Sequence, residues 1–229
     1  MTDSPEEPNP YTAGLEHKPQ RDDTFYYTTV VFLVEGTLFR VPRHPFIDGS
    51  DVFRQMFQLP VPDGVEADGC SDGRPLRLEF IQQNDFKQLL KVLFPHHSQP
   101  QKSSPKTFAE WRSVLKLSSM WEFESVKKLA VDHIGTMQID PIDKIGLARD
   151  YDVQEWLVPA LNELAKRKEP IGMKDADKLG MELALKVAAV RESVMSSYSG
   201  YPLQIGERQA GHIDFTNAIE TMLTTLENS

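Results

Sequence analysis

One stretch, residues 30–57, VVFLVEGTLFRVPRHPFIDGSDVFRQMF, limits what this chain can fold into more than any other. Five consecutive apolar residues, Val30 to Val34, place apolar side chains on both faces of a strand, the pattern of an inner strand covered on two sides. We predict a first strand over residues 26–34 and a second over 38–41. They join at Glu35-Gly36, where Gly36 takes a positive φ without a Cβ penalty. Pro42 and Pro45 end the ladder pairing and bend the chain. Ser50 then reads as the N-cap of a helix, with Asp51 in its first turn against the positive end of the helix dipole. Phe53, Met56 and Phe57 follow on that helix. Such residues are core by default, yet aromatic and Met side chains also anchor interfaces, so these three are the candidate partner-binding residues.

Downstream, residues 61–75 form a loop with three Asp-Gly pairs. A third strand is predicted over 76–80, where Leu76, Leu78 and Phe80 alternate with Arg77 and Glu79. The period then changes from two to 3.6. Phe86, Leu89, Leu90, Leu93 and Phe94 share one helical face, with Asn84 as the expected cap. Residues 95–106 are polar, Pro- and Ser-containing loop. Thr107 and Glu110 form a capping box that opens a helix with Trp111, Val114 and Leu115 inward. Val126, Leu129, Ala130, His133, Ile134 and Met137 make a further helical stripe. Asp140-Pro141 starts another helix, with Pro at the first position where its missing N–H costs nothing. Asp152 and Glu155 begin the next one, which Pro159 is expected to kink or restart. Residues 174–195 read as one long buried helix. Phe215, Ile219, Met222 and Leu226 give a short amphipathic helix near the end.

The bulk numbers exclude several classes. Hydrophobic content of 40% over 229 residues suffices for a core. A net charge of −9 argues against a nucleic-acid surface, which needs clustered Lys and Arg. The basic runs Lys127-Lys128 and Lys166-Arg167-Lys168 read as solvated helix faces. A single cysteine, Cys70, permits no internal disulfide and points to a reducing intracellular compartment, cytoplasmic or nuclear. No secretory signal and no apolar run of about 20 residues is present, so no membrane partner is expected. Residues 1–24, with four prolines and six acids against two bases, read as a disordered acidic tail.

Catalytic chemistry finds little purchase. His96, His97 and Cys70 are the residues that could combine into a metal site, and they read instead as loop residues. Cys70 lies among acids in an Asp-Gly loop, a poor setting for a thiolate nucleophile. His133 reads as a packed histidine, and Trp111, Trp121 and Trp156 as core anchors. No nucleophile elbow, P-loop or HExxH motif occurs. We therefore expect no catalytic, cofactor-binding or metal-binding residues, and no enzyme.

At this point the ordered segments match a known pattern. FLVEGTLFRVPRHPF, GSDVFRQMFQLP, LRLEF, FKQLLKVLFP, WRSVLKLSSMWEFESVKKLA and IDPIDKIGLARDYDVQEWLVPALNELAKR together resemble a BTB/POZ domain, of the kind found in fungal BTB proteins, across residues 26–195. Phe39, Ser50, Phe53 and the Met56-Phe57 pair carry the core of that resemblance. It implies an α+β fold, a short three-stranded sheet covered by helical hairpins at residues 25–138, followed by an α-helical extension at 139–195 and a flexible segment with a short helix at 196–229. It also implies a non-enzymatic protein–protein interaction module, a homo-oligomerising scaffold or adaptor. Alternatives within the family are a substrate adaptor on a cullin scaffold of a ubiquitin ligase and a transcriptional co-regulator; the alternative outside it is a small Cys/His-dependent enzyme. Pro42 stands where many members carry a His, and the loops at 61–75 and 95–106 lengthen the module.

Overall fold

Alternation along the first strand decides how the sheet is buried. In the computed structural model, which describes residues 20–62, 64–95, 104–198 and 213–227, Val30, Phe32 and Val34 point into the main core. They belong to β1 (Thr29–Val34), which pairs antiparallel with β2 (Thr37–Pro42), Phe32 facing Phe39 and Leu33 facing Leu38. Glu35 and Gly36, at φ 45° and 79°, form the connecting turn, the positive pair that suits the twist of a tight hairpin. A short β3 (Leu76–Arg77) joins parallel to β1, giving the order β2-β1-β3. The inner position of β1 is as the apolar run implied. Its start is three residues later than expected, and β3 is much shorter. Phe80 explains the second difference: its φ of 62° leaves the extended region, and its side chain is 96% exposed rather than on a strand face.

The expected bend after Pro42 contains a helix of its own, α1 (His44–Gly49), because Pro45 sits in the first turn, where no intrahelical N–H is needed. Next comes α2 (Asp51–Gln58), capped by Ser50, whose Oγ accepts from the Phe53 amide at 3.1 Å. The same hydroxyl donates to the carbonyl of Trp121, so one buried side chain ties α2 to a turn far along the chain. In α3 (Gln83–Leu93) the cap position is Gln82, not Asn84, and the Glu35 carboxylate accepts from the Gln83 amide at 2.7 Å. Helices α4 (Phe108–Met120) and α5 (Glu124–Gly135) follow, α4 opening with the Thr107–Glu110 capping box. Phe32, Phe46, Phe53, Phe86, Phe123 and Trp121 interlock edge to face around the sheet.

A second cluster, including Trp111, Ile134, Leu147 and Trp156, joins α4 and α5 to α6 (Pro141–Asp150) and α7 (Gln154–Lys166). All three tryptophans are buried. Leu129 faces solvent instead of the stripe assigned to it, and His133 is exposed but stacks on Trp111 at 4.1 Å. Helix α7 runs unbroken through Pro159, and its predicted capping residue Asp152 instead takes a positive φ of 54° ahead of the helix. The long helix expected at 174–195 is two, α8 (Met173–Leu179) and α9 (Met181–Tyr198), because Gly180 at φ 85° breaks the helical path.

The last helix, α10 (Thr216–Glu227), is not part of a loose segment. Phe215, Ile219 and Met222 share a core with Ile145, Leu161 and Val187 of the extension. Residues 1–19, 96–103 and 199–212, which include most of the expected tail, His96, His97 and the expected flexible stretch, lie outside the described residues.

Arg167 also departs from its reading as part of a solvated run. It is half-buried and donates through Nη2 to the Asp175 carboxylate and to the Pro170 carbonyl, while Asp175 accepts from the Gly172 amide at 2.9 Å. The hydrogen bond from Arg167, then that from Gly172, hold the Asp175 carboxyl below its ordinary range against a smaller opposing effect of burial. A depressed carboxylate stabilises the fold above its unfolded-state value and loses that contribution as pH falls through the folded one. Asp175→Asn is therefore expected to lower stability at neutral pH. The gap between variant and parent in urea unfolding should close as pH falls below about 4. A gap independent of pH would refute the ion-pair origin.

Candidate interaction groove

The loop after α2 does not wander into solvent; it is stitched to β1. The Val31 amide donates to the Gly69 carbonyl, and the Gly69 amide donates to that of Arg74, both at 2.8 Å. Gly69 is required there: its φ is 83°, and a Cβ would come within 2.8 Å of Val30 Cγ2. Folding the loop back in this way leaves a groove of about 540 Å³ between β1, the end of α2 and residues 59–76. Met56, Phe57, Val30 and Leu76 contribute to its walls, and Leu59, Val61 and Val65 stand exposed along its lip.

Arg43 closes one end. Its amide donates to the Thr28 carbonyl at 2.8 Å, which fixes the residue to the edge of the hairpin. Its guanidinium lies 4.0 Å over the Phe57 ring, and Nη2 donates to the Phe57 carbonyl at 2.9 Å. Its Nε is buried with no hydrogen-bond partner among the described residues. Burial lowers the Arg43 pKa from its ordinary value, though a guanidinium stays charged in any protein. The groove thus combines an apolar wall with a fixed positive charge stacked on an aromatic ring, an arrangement that suits recognition of another chain.

The structure separates the three candidate contact residues. Phe53 is only 2% exposed and packs among Phe46, Trp121, Phe32 and Phe123; it is core and has no surface to offer a partner. Met56 and Phe57 are half-buried and line the groove. Helical geometry is the reason. Positions 53 and 57 lie one turn apart on the same side, but Phe53 sits beneath the sheet whereas Phe57 reaches the helix end, where the covering layer stops. Sequence reasoning missed Arg43, Leu59, Val61 and Val65, because loop residues carry no periodic signal; Pro60 and Pro62 marked only that the helix had ended.

Cys70 is exposed on the same loop, and its thiol donates to the Glu66 carboxylate at 3.4 Å. Among the described residues, no three His, Cys, Asp or Glu side chains are grouped to hold a metal ion, and no helix is long and apolar enough to cross a membrane. Residues 18–138, more than half of the chain, match the family model described as BTB/POZ domain. No curated protein matches the chain.

Proposed function

The chain belongs to the BTB/POZ domain family, whose domain is a protein–protein interaction module, and from that premise we propose that it is a self-associating scaffold or adaptor that binds other proteins without catalysing a reaction. The family match carries this reading, and the groove supports it. Met56 and Phe57 supply apolar contact area at the end of α2, and the exposed Leu59, Val61 and Val65 extend it. Exposed apolar residues gathered around one depression are the surface feature that marks docking of another chain. The held Arg43 guanidinium fixes orientation rather than reacting.

Sedimentation equilibrium of the full chain tests the self-association. At tens of micromolar, a concentration suited to modest interfaces, we expect a mass at or above that of a dimer. A single species of 26.0 kDa throughout would overturn it.

A further inference from the structure

Among the described residues the outer edge of β2 has no strand beside it: the sheet order is β2-β1-β3, so β2 is terminal there. The ladder tells which of its backbone groups are spoken for. Arg43 donates its amide to the Thr28 carbonyl, so the 28/43 pair is hydrogen-bonded across the hairpin. In an antiparallel ladder such pairs alternate, which makes Val30/Val41 and Phe32/Phe39 the bonded pairs. Val31/Arg40 and Leu33/Leu38 are the others. Two bonds on the far side of β1 agree: the Val31 amide donates to Gly69, and the Leu33 carbonyl accepts from Leu78. The N–H and C=O of Leu38 and Arg40 therefore point away from β1. No backbone partner meets them among the described residues.

Edges like this one are normally guarded by charge, proline or a bulge, because open donors and acceptors invite another strand. Here Pro42 lies at the end of β2 rather than in its middle, and Leu38 is 44% exposed. Arg40 is the charged residue within β2, and its side chain pairs with Asp72 at 2.8 Å, on the loop bonded to the far side of β1, which leaves the edge itself without a guarding charge.

We propose that β2 pairs antiparallel with β2 of a second copy of this chain, joining two three-stranded sheets into one across a twofold axis. This deepens the self-association reading and rests on it. The occupant is a second copy because the edge is complementary to itself. With the axis at Phe39, Leu38 of each copy faces Arg40 of the other, and the two outward N–H and two outward C=O groups per copy close four hydrogen bonds without involving Pro42. Shifting the axis to Arg40 would set Leu38 against Pro42, which has no N–H to give. In the favoured register Phe39, half-buried against Phe86 at 5.2 Å, lies beside its own copy, where a cross-strand aromatic pair covers both rings. Arg40 is paired with Asp72 within its own copy, so the two edges do not meet as bare like charges. An isologous contact of this kind closes at two copies and does not propagate.

The experiment uses the full chain as parent, Leu38→Lys, Leu38→Pro and Leu38→Thr, with near-ultraviolet circular dichroism to show that each remains folded. Leu38→Lys places a charge at the seam, and Leu38→Pro removes an outward N–H that β1 does not use; Leu38→Thr keeps a strand-forming residue. Sedimentation equilibrium is expected to show the dimer dissociation constant raised at least about tenfold by Lys and by Pro, equivalent to about 1.4 kcal/mol, and little changed by Thr. Amide exchange at Leu38 and Arg40 should slow as the parent is concentrated. If the parent dimerises and Leu38→Lys dimerises equally well, the edge is not the seam, although self-association stands. A parent that is monomeric throughout removes both readings.

Discussion

Replacing Phe53 with Ala is expected to cost about 3–5 kcal/mol of folding free energy, the range for truncating a buried aromatic. The site is well placed for the upper part of that range. The ring is 2% exposed and meets Phe46 at 5.0 Å and Trp121 at 5.2 Å, with Phe32 and Phe123 each at 5.9 Å. These neighbours come from β1, α1 and the α4–α5 turn, which are themselves held elsewhere, so they cannot easily collapse into the space. A domain of ordinary stability has about 5–15 kcal/mol in total, so the variant should lose much of it in urea unfolding. The damage also reaches the groove, because Phe57 leans on Phe53 at 5.9 Å. Binding lost in such a variant would report on folding rather than on contact. A loss under about 1 kcal/mol would show that the aromatic cluster repacks into the space the ring leaves.

Ser50→Ala is expected to cost about 2–4 kcal/mol, more than an ordinary helix cap. Two losses add. The Phe53 amide loses its acceptor, typically about 1 kcal/mol, and the Trp121 carbonyl loses the hydroxyl that bonded it in a buried site, about 1–3 kcal/mol. Ser50 is 1% exposed, so water does not readily replace the hydroxyl. Thr107→Ala provides the comparison. That cap is exposed, and solvent can satisfy the freed Glu110 amide. Its expected cost is about 0.5–2 kcal/mol, and denaturant unfolding of the two variants side by side should place Ser50→Ala clearly higher. Equal costs would mean that the bond to Trp121 contributes little.

These two residues also show how far the sequence could be read. Ser50 was legible as a cap, since a short hydroxyl residue ahead of an acidic first turn has few other uses. Its second bond, to a carbonyl 71 positions away, has no local trace. The Thr107–Glu110 box and the Asp140-Pro141 start were legible for the same local reason, and the five-residue apolar run placed β1 at the centre of the sheet. Where local patterns competed, the readings slipped. The alternation through Phe80 looked like strand, but the chain must turn there to bring Ile81 into the core and to set Gln83 against Glu35. Apolar periodicity across residues 174–195 hid the break at Gly180, because a single residue at positive φ leaves the hydrophobic pattern on either side intact.

By itself the sequence determined the elements and their order, the apolar faces that had to be covered, and the family resemblance that rests on them. Those properties are set within a few residues by backbone sterics, capping chemistry and the 2.0 and 3.6 periods. Only the tertiary structure decided which apolar residues face solvent. Phe53 and Phe57 are of one type on one helix, yet one is core and the other lines a groove, because the sheet and the α4–α5 turn cover only the first. Arg43 became part of the groove, and β2 became the terminal strand among the described residues, by the same cause. Burial and pairing depend on which distant segment returns to each surface, and no local pattern carries that information.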